Sequence, residues 1–239
     1  MVSPLDPRQR IRAVLFDLDG TLYNQAQLRF LMAIELLTMP LTGPGRAMRR
    51  WRALAAYRAA QEHLRSTGDA ESVQEAQLNA AASRSGLPRV EVDRLVNDWM
   101  MTRPLKYLRR CRAAGIEALL DALAARAVMA GILSDYPADA KIAALGLAGR
   151  FSPVLCSTDR EVGALKPDAR GFLRASELWQ IEPREVLVVG DRPDVDAAGA
   201  AAAGMPCVII GRNAADAAGA RYLILPSIER LRCVLDATR

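Results

Sequence analysis

The chain is short of the residues on which many enzymes and nucleic-acid-binding proteins depend. Its 239 residues hold a single histidine, His63, four scattered cysteines, three lysines (Lys106, Lys141 and Lys166) and only 5% aromatic residues. One histidine and no CxxC pair exclude the usual cysteine–histidine zinc sites. A histidine-dependent triad would have to use His63, which lies in an Arg- and Ala-rich stretch that reads as a helix surface. Few aromatics leave no evident stacking platform for single-stranded nucleic acid. No apolar run approaches the roughly 18 residues of a membrane span, and the N-terminal residues lack the apolar centre of a signal peptide. These absences predict a soluble cytoplasmic protein with reduced cysteines, no membrane span and no nucleic-acid partner.

What is present suits a globular fold. Apolar residues make up 51% and charged residues 25%, enough to bury a core without disulfides. The net charge of +5 is too dilute to indicate nucleic acid, but it suits a small anionic substrate.

Short apolar runs at 11–16, 127–134, 153–157, 185–190, 206–211 and 222–225 read as buried parallel strands. Continuous rather than alternating hydrophobicity is expected when helices cover both faces of a sheet. Helices are predicted at 137–145, 167–179, 195–203 and 227–235, with Pro137 and Pro167 suited to first-turn positions. The alternation predicts an α/β fold, a doubly wound parallel sheet whose strand ends share one ligand edge. Residues 24–103 break the rhythm with helical patterns at 25–39, 47–66, 70–86 and 90–101. The expected organisation is an α/β core of residues 1–23 and 104–239, with an all-helical domain of residues 24–103 inserted after the first strand.

Four segments carry chemistry. The first strand ends in Phe16-Asp17-Leu18-Asp19-Gly20-Thr21, which aims Asp17 and Asp19 to the same side. Two carboxylates so close repel unless a cation neutralises them or one holds a proton. Ser134-Asp135 closes the second strand, where a hydroxyl either caps the next helix or meets phosphate beside fresh N–H groups. Lys166-Pro167 offers a compact charge, either solvated or set against a phosphoryl oxygen. The segment Gly190-Asp191-Arg192-Pro193-Asp194-Val195-Asp196 follows a buried strand with three carboxylates, some of which suit a helix cap instead.

In this order, on these elements, the four segments resemble the haloacid dehalogenase superfamily. DxDGT followed by a helical insertion resembles its phosphatase branch with a cap after the first strand. The resemblance implies that Asp17 attacks the phosphorus of a small phosphorylated metabolite to give an aspartyl-phosphate. Asp19 would protonate the leaving alkoxide and then activate water, so it has to carry a proton when substrate arrives. Mg²⁺ would bind the Asp17 carboxylate, the Asp19 carbonyl and the Asp191 carboxylate, while Ser134 and Lys166 hold phosphoryl oxygens and Asp135 completes the phosphate-binding set. Asp196 aligns with the family's second acid, and Asp194 is the alternate. Asp135 departs from the pattern, which usually has Asn there, and brings negative charge near the phosphate. Haloacid dehalogenation is disfavoured, since that branch does not keep the second Asp of DxD. A phosphomutase of the same fold, or a non-catalytic binding protein, remains an alternative, and the oligomeric state is open.

The inserted stretch would choose the substrate. Residues 24–110 carry 14 basic and 8 acidic residues, and Arg46, Arg49, Arg50 and Arg52 are candidates for meeting a second anionic group, or else solvated helix faces. The apolar band 28–41 is expected to pack on neighbouring inserted helices, or else to line a pocket for an apolar substrate tail, with hinges near 23–24 and 102–104.

Overall fold

In a computed structural model, described here for residues 10–38, 44–67, 73–211 and 222–237, the sheet forms as the apolar runs predict. Strands β1 (Ala13–Phe16), β2 (Met129–Ser134), β3 (Val154–Cys156), β4 (Val186–Gly190), β5 (Cys207–Ile210) and β6 (Leu223–Leu225) are all parallel, in the order β3-β2-β1-β4-β5-β6. The order reverses direction at β1, so the Asp17 end of β1 lies at the switch point between β2 and β4, where open α/β sheets bind ligands.

Both faces of the sheet are covered, which explains the unbroken apolar strands. Val14, Phe16, Leu187 and Val189 join one cluster, closed by α5 (Leu105–Cys111), α6 (Ile116–Ala125), α7 (Asp139–Ala144) and α10 (Ile228–Ala237). Ala13, Leu15, Val186 and Val188 join the other, closed by α8 (Ala169–Trp179) and α9 (Ala198–Ala202). Helices α5 and α6 escape the sequence reading, although Leu119, Leu120 and Leu123 recur at helical spacing. Pro167 stands ahead of its helix rather than in the first turn. Asp168 is the cap, accepting from the Arg170 N–H.

Between β1 and α5 the inserted residues form α1 (Gln25–Thr38), α2 (Pro44–Thr67), α3 (Val73–Ser85), α4 (Arg89–Val96) and a π-helical turn, Asn97–Thr102. Ala53, Tyr57, Leu78, Ala81, Val92 and Leu95 build a core of their own there. The band beginning at Leu28 behaves differently from the expectation. Leu28, Leu31 and Met32 pack into the cluster of the α/β body beside Leu105 and Leu108, while Phe30 and Ile34 are exposed. The side chains of residues 36–41 lie outside the described set. The chain crosses between the two parts along paired segments: Asn24 N–H donates to the Cys111 carbonyl at 2.8 Å, and Ala113 N–H to that of Leu22 at 2.9 Å. Among the described residues no helix is long and apolar enough to cross a membrane.

Candidate active site

The strand ends bring the predicted acids together. Asp17 continues β1, its N–H bonded to the Val189 carbonyl at 2.8 Å. Its carboxylate accepts from Thr21 Oγ1 at 3.0 Å and from Lys166 Nζ at 2.5 Å. Lys166 is buried and also reaches Asp196 Oδ1 at 2.8 Å. Oxygens of Asp17, Asp191 and Asp196 all lie within 4.8 Å of one another. Three carboxylates therefore face one ammonium, and burial together with the surplus negative charge raises the proton affinity of Asp17 and Asp191. Burial pushes Asp17 well above the usual carboxylate range, with Asp196 and Asp191 adding to it against the pull of Lys166. Asp191 rises to about 6 through burial and the neighbouring Asp196.

Glycine makes two of these approaches possible. Gly20 has φ +107°, and a Cβ there would stand 2.1 Å from Asp191 Oδ2. Asp191 is thus pressed against the backbone just after Asp19. At Gly190 a Cβ would meet the Asp196 carboxyl at 2.3 Å. That opening lets Asp196 fold back, its Oδ2 accepting from the N–H groups of Asp191 at 3.2 Å and Arg192 at 3.1 Å. The two later acids differ in position: Asp196 is buried in the cluster, whereas Asp194 is exposed and paired with Arg192 at 2.6 Å.

A divalent cation fits this cluster on the chemistry of its donors. Asp17 and Asp191 offer hard oxygen ligands, and the cluster carries more negative charge than Lys166 neutralises. Asp196 is less free to contribute, being committed to Lys166 and two amides.

Asp19 has a partner that sequence reasoning overlooked. Lys141, the first basic residue of α7, is buried and places Nζ 2.6 and 2.7 Å from the two Asp19 oxygens. The Tyr23 hydroxyl donates to the same carboxylate at 2.5 Å. Asp19 therefore sits between an ammonium and a phenol hydroxyl, contacts that its nearness to Asp17 in the sequence does not suggest. The available signal was scarcity: all three lysines stood out, and Lys141 lies seven residues beyond Ser134.

Asp135 is also not bare. Its Oδ1 accepts from Ser157 Oγ at 2.7 Å and from the Lys166 N–H at 3.2 Å, and its Oδ2 from Arg65 Nη1 at 2.7 Å. Burial would raise this group, but the Lys166 and Arg65 charges outweigh it and hold it below the usual carboxylate value. Both Asp135 oxygens are thus occupied by donors of the protein, and the carboxylate organises the loop. Ser134 is buried, and its Oγ accepts from the Tyr136 N–H at 3.2 Å, closing the turn.

Arg65 comes from α2, so the inserted helices complete the loop. The same helix supplies Glu62 to Arg192 at 2.9 Å and Gln61 to the Tyr136 hydroxyl. Above the acids lies a cavity of about 620 Å³, walled by residues of α1, α2 and the Asn97–Thr102 turn. Arg49, Arg50 and Arg52 are exposed and outside its wall, and the Arg46 side chain lies outside the described set. Arg29 and Arg58 line the cavity instead.

The family model for haloacid dehalogenase-like hydrolases matches residues 11–204, spanning the strands that carry Asp17, Ser134 and Asp191. The chain belongs to the haloacid dehalogenase-like hydrolase family. This hydrolase is 42% identical over 73 residues to phosphoserine phosphatase of Thermus thermophilus, a match covering 30% of the chain and 28% of that protein. It is 39% identical over 73 residues to glyceraldehyde 3-phosphate phosphatase of Methanopyrus kandleri, covering 30% of each. The matched stretch thus spans less than a third of either curated relative. Among solved structures it is similar to a HAD phosphatase from Thermococcus onnurineus (TM-score 0.61, 23% identity, covering 95% of this chain and 99% of the other). It is similar also to β-phosphoglucomutase from Clostridium difficile (TM-score 0.64, 17% identity, 95% and 97% covered). A third is L-2-haloacid dehalogenase from Xanthobacter autotrophicus (TM-score 0.65, 18% identity, 95% and 98% covered). At these identities the structural likeness speaks for the fold alone.

Proposed function

We propose that this hydrolase is a Mg²⁺-dependent phosphatase that cleaves a small phosphomonoester through an aspartyl-phosphate on Asp17. The observation that carries this reading is the convergence of Asp17, Lys166 and Asp191 at the switch point, with Asp19 held beside them by Lys141. A dehalogenase site would have no use for a second, separately gripped acid. The two curated relatives, both named as phosphatases, support the same class.

The carboxylate of Asp17 attacks phosphorus as the ester P–O bond breaks. The leaving oxygen takes a proton from Asp19, which shares it with Lys141 across the ion pair. In the second half, water attacks the phosphorus of the aspartyl-phosphate and returns a proton to Asp19. The Asp17–phosphorus bond then breaks and inorganic phosphate leaves. Lys166 and Ser134 neutralise and hold the phosphoryl oxygens. Asp17, Asp191 and the Asp19 carbonyl would hold Mg²⁺, which when bound neutralises charge on the phosphoryl group.

Residues 24–103 act as a cap on a core of residues 1–23 and 104–239. Their separate hydrophobic cluster and the Arg65, Glu62 and Gln61 contacts support that division. The four cysteines are free and three are buried, in keeping with work in the cytoplasm.

The reading is tested with p-nitrophenyl phosphate and Mg²⁺. The wild type should release phosphate, and Asp17→Asn should lose at least about 10³-fold in kcat, since no other group can form the intermediate. Asp17→Asn should fold as well as wild type, because Lys166 keeps Asp196 as its partner. Full turnover by a folded Asp17→Asn protein refutes the nucleophile assignment.

A further inference from the structure

We infer that the cap side of the cavity is a second anion-binding subsite built by Arg29, Arg58 and Gln61. The substrate is then a phosphomonoester whose second acidic group is carried on an apolar or aromatic body. The inference rests on the phosphatase reading for which end of the cavity receives phosphate.

Six cationic side chains line the cavity: Arg29, Arg58, Arg65, Lys141, Lys166 and Arg192. Four of them are already neutralised. Lys166 sits on Asp17 and Asp196, Lys141 on Asp19, Arg65 on Asp135, and Arg192 on Glu62 and Asp194. Among the described residues, Arg29 and Arg58 pair with no carboxylate. Both are solvent-exposed, and on the wall of one cavity two guanidinium groups without an internal counter-charge can grip an entering anion with paired N–H donors.

Gln61 supplies an independent observation. It lines the same cavity, is 4% exposed, and its Oε1 accepts from the Tyr136 hydroxyl. Its Nε2 is then left buried with no acceptor. A buried donor without a partner is costly, and in a binding cavity it marks the place of a ligand oxygen.

The subsite lies on the leaving-group side. Gln61 meets the Tyr136 hydroxyl, the Tyr136 ring lies 5.3 Å from Lys141 Nζ, and Lys141 holds Asp19; Tyr23, on the same cavity wall as Arg29, donates to Asp19 as well. An anion held there belongs to the part of the substrate that departs with its oxygen protonated. The same cavity wall carries the apolar side chains of Met32, Leu54, Trp99 and Met100. A compact polyol would leave that wall wet, whereas an aromatic or aliphatic body would cover it.

The test uses non-hydrolysable phosphonates and does not require turnover. Calorimetric affinities in Mg²⁺ are compared for phenylphosphonate, 4-carboxyphenylphosphonate and 1,4-phenylenediphosphonate. At least one of the two doubly acidic compounds should bind wild type ten times or more tighter than phenylphosphonate, and the better arm distinguishes carboxylate from phosphate as the second group. That ratio should fall toward one in Arg29→Gln and in Arg58→Gln. It should persist in Arg49→Gln, exposed on the same helix as Arg58 but outside the wall. Tight phenylphosphonate binding with a wild-type ratio near one, or a ratio unmoved by both substitutions, overturns the subsite alone. Binding of none of the three, together with no release of phosphate from p-nitrophenyl phosphate, overturns the phosphatase reading and the subsite with it.

Discussion

Replacing Lys141 with methionine probes the contact on which proton handling depends. The substitution keeps the apolar stem of Lys141 and deletes a charge lying 2.6 and 2.7 Å from the Asp19 oxygens. At an effective dielectric constant of about 20, that separation corresponds to a gross attraction of about 6 kcal/mol. Desolvation of the ammonium returns a large part of it. Breaking a fully buried pair from one side costs about 3–5 kcal/mol. The Asp19 side chain keeps 17% exposure and the Tyr23 hydrogen bond, so the lower end applies, about 3 kcal/mol. For a chain of this length that is a fall in Tm of about 6–12 °C. In the reaction, loss of a positioned proton-transfer group costs roughly 10²–10⁴ in rate. Lys141→Met should therefore lower kcat by at least about 10²-fold while changing KM little, because Lys141 is not among the phosphate-holding groups. A purely structural lysine would not give that split, and a double-mutant cycle sharpens the test. If Lys141 works through Asp19, Lys141→Met/Asp19→Asn should be no slower than Asp19→Asn alone and should regain most of the lost Tm. Losses in kcat that multiply across the cycle, or a Lys141→Met enzyme with wild-type kcat, would refute the coupling.

Other consequences can be measured as directly. Chelation with EDTA should abolish phosphate release and added Mg²⁺ should restore it, with Asp191→Asn needing roughly tenfold or more Mg²⁺ for half-maximal rate. Activity indifferent to EDTA would remove the metal from the reading. Gly20→Ala should raise the Mg²⁺ requirement in the same way, since its methyl group would occupy the space of Asp191 Oδ2; an unchanged requirement would show that Asp191 is not held there. Asp135 is depressed below its ordinary 3.8, so the stability it contributes is complete above about pH 4 and is lost as pH falls through its folded-state value. Thermal melts should therefore show wild type more stable than Asp135→Asn at pH 6, with the gap closing as pH falls below about 4. A gap that widens on acidification would contradict the depressed value.

The sheet was legible because strands buried on both faces have to be apolar at every position, and Ala13–Phe16 and Val186–Gly190 are. The acids Asp17 and Asp191 were legible because each directly follows such a strand. Helices α5 and α6 were not, since their Ala- and Arg-rich turns blur into the linker around Gly115. Pairings distant along the chain were not legible either. Asp135 meets Arg65 across 70 residues and Asp19 meets Lys141 across 122, and neither spacing leaves a local periodic trace. Asp196 was aligned with the family's second acid from the sequence, but the opening at Gly190 through which it folds back toward Asp191 was not legible in a count of carboxylates.

The bond between Arg65 and Asp135 ties the charge of the loop after β2 to the posture of the helices above it. With the helices down, the guanidinium cancels the acid, and on the phosphatase reading the loop can then receive a dianion. Were they to lift, the same acid would stand uncovered beside whatever anion the loop still held and would push it outward. One borrowed positive charge would then serve both admission and expulsion, and the position where the family usually carries a neutral amide would have become a spring.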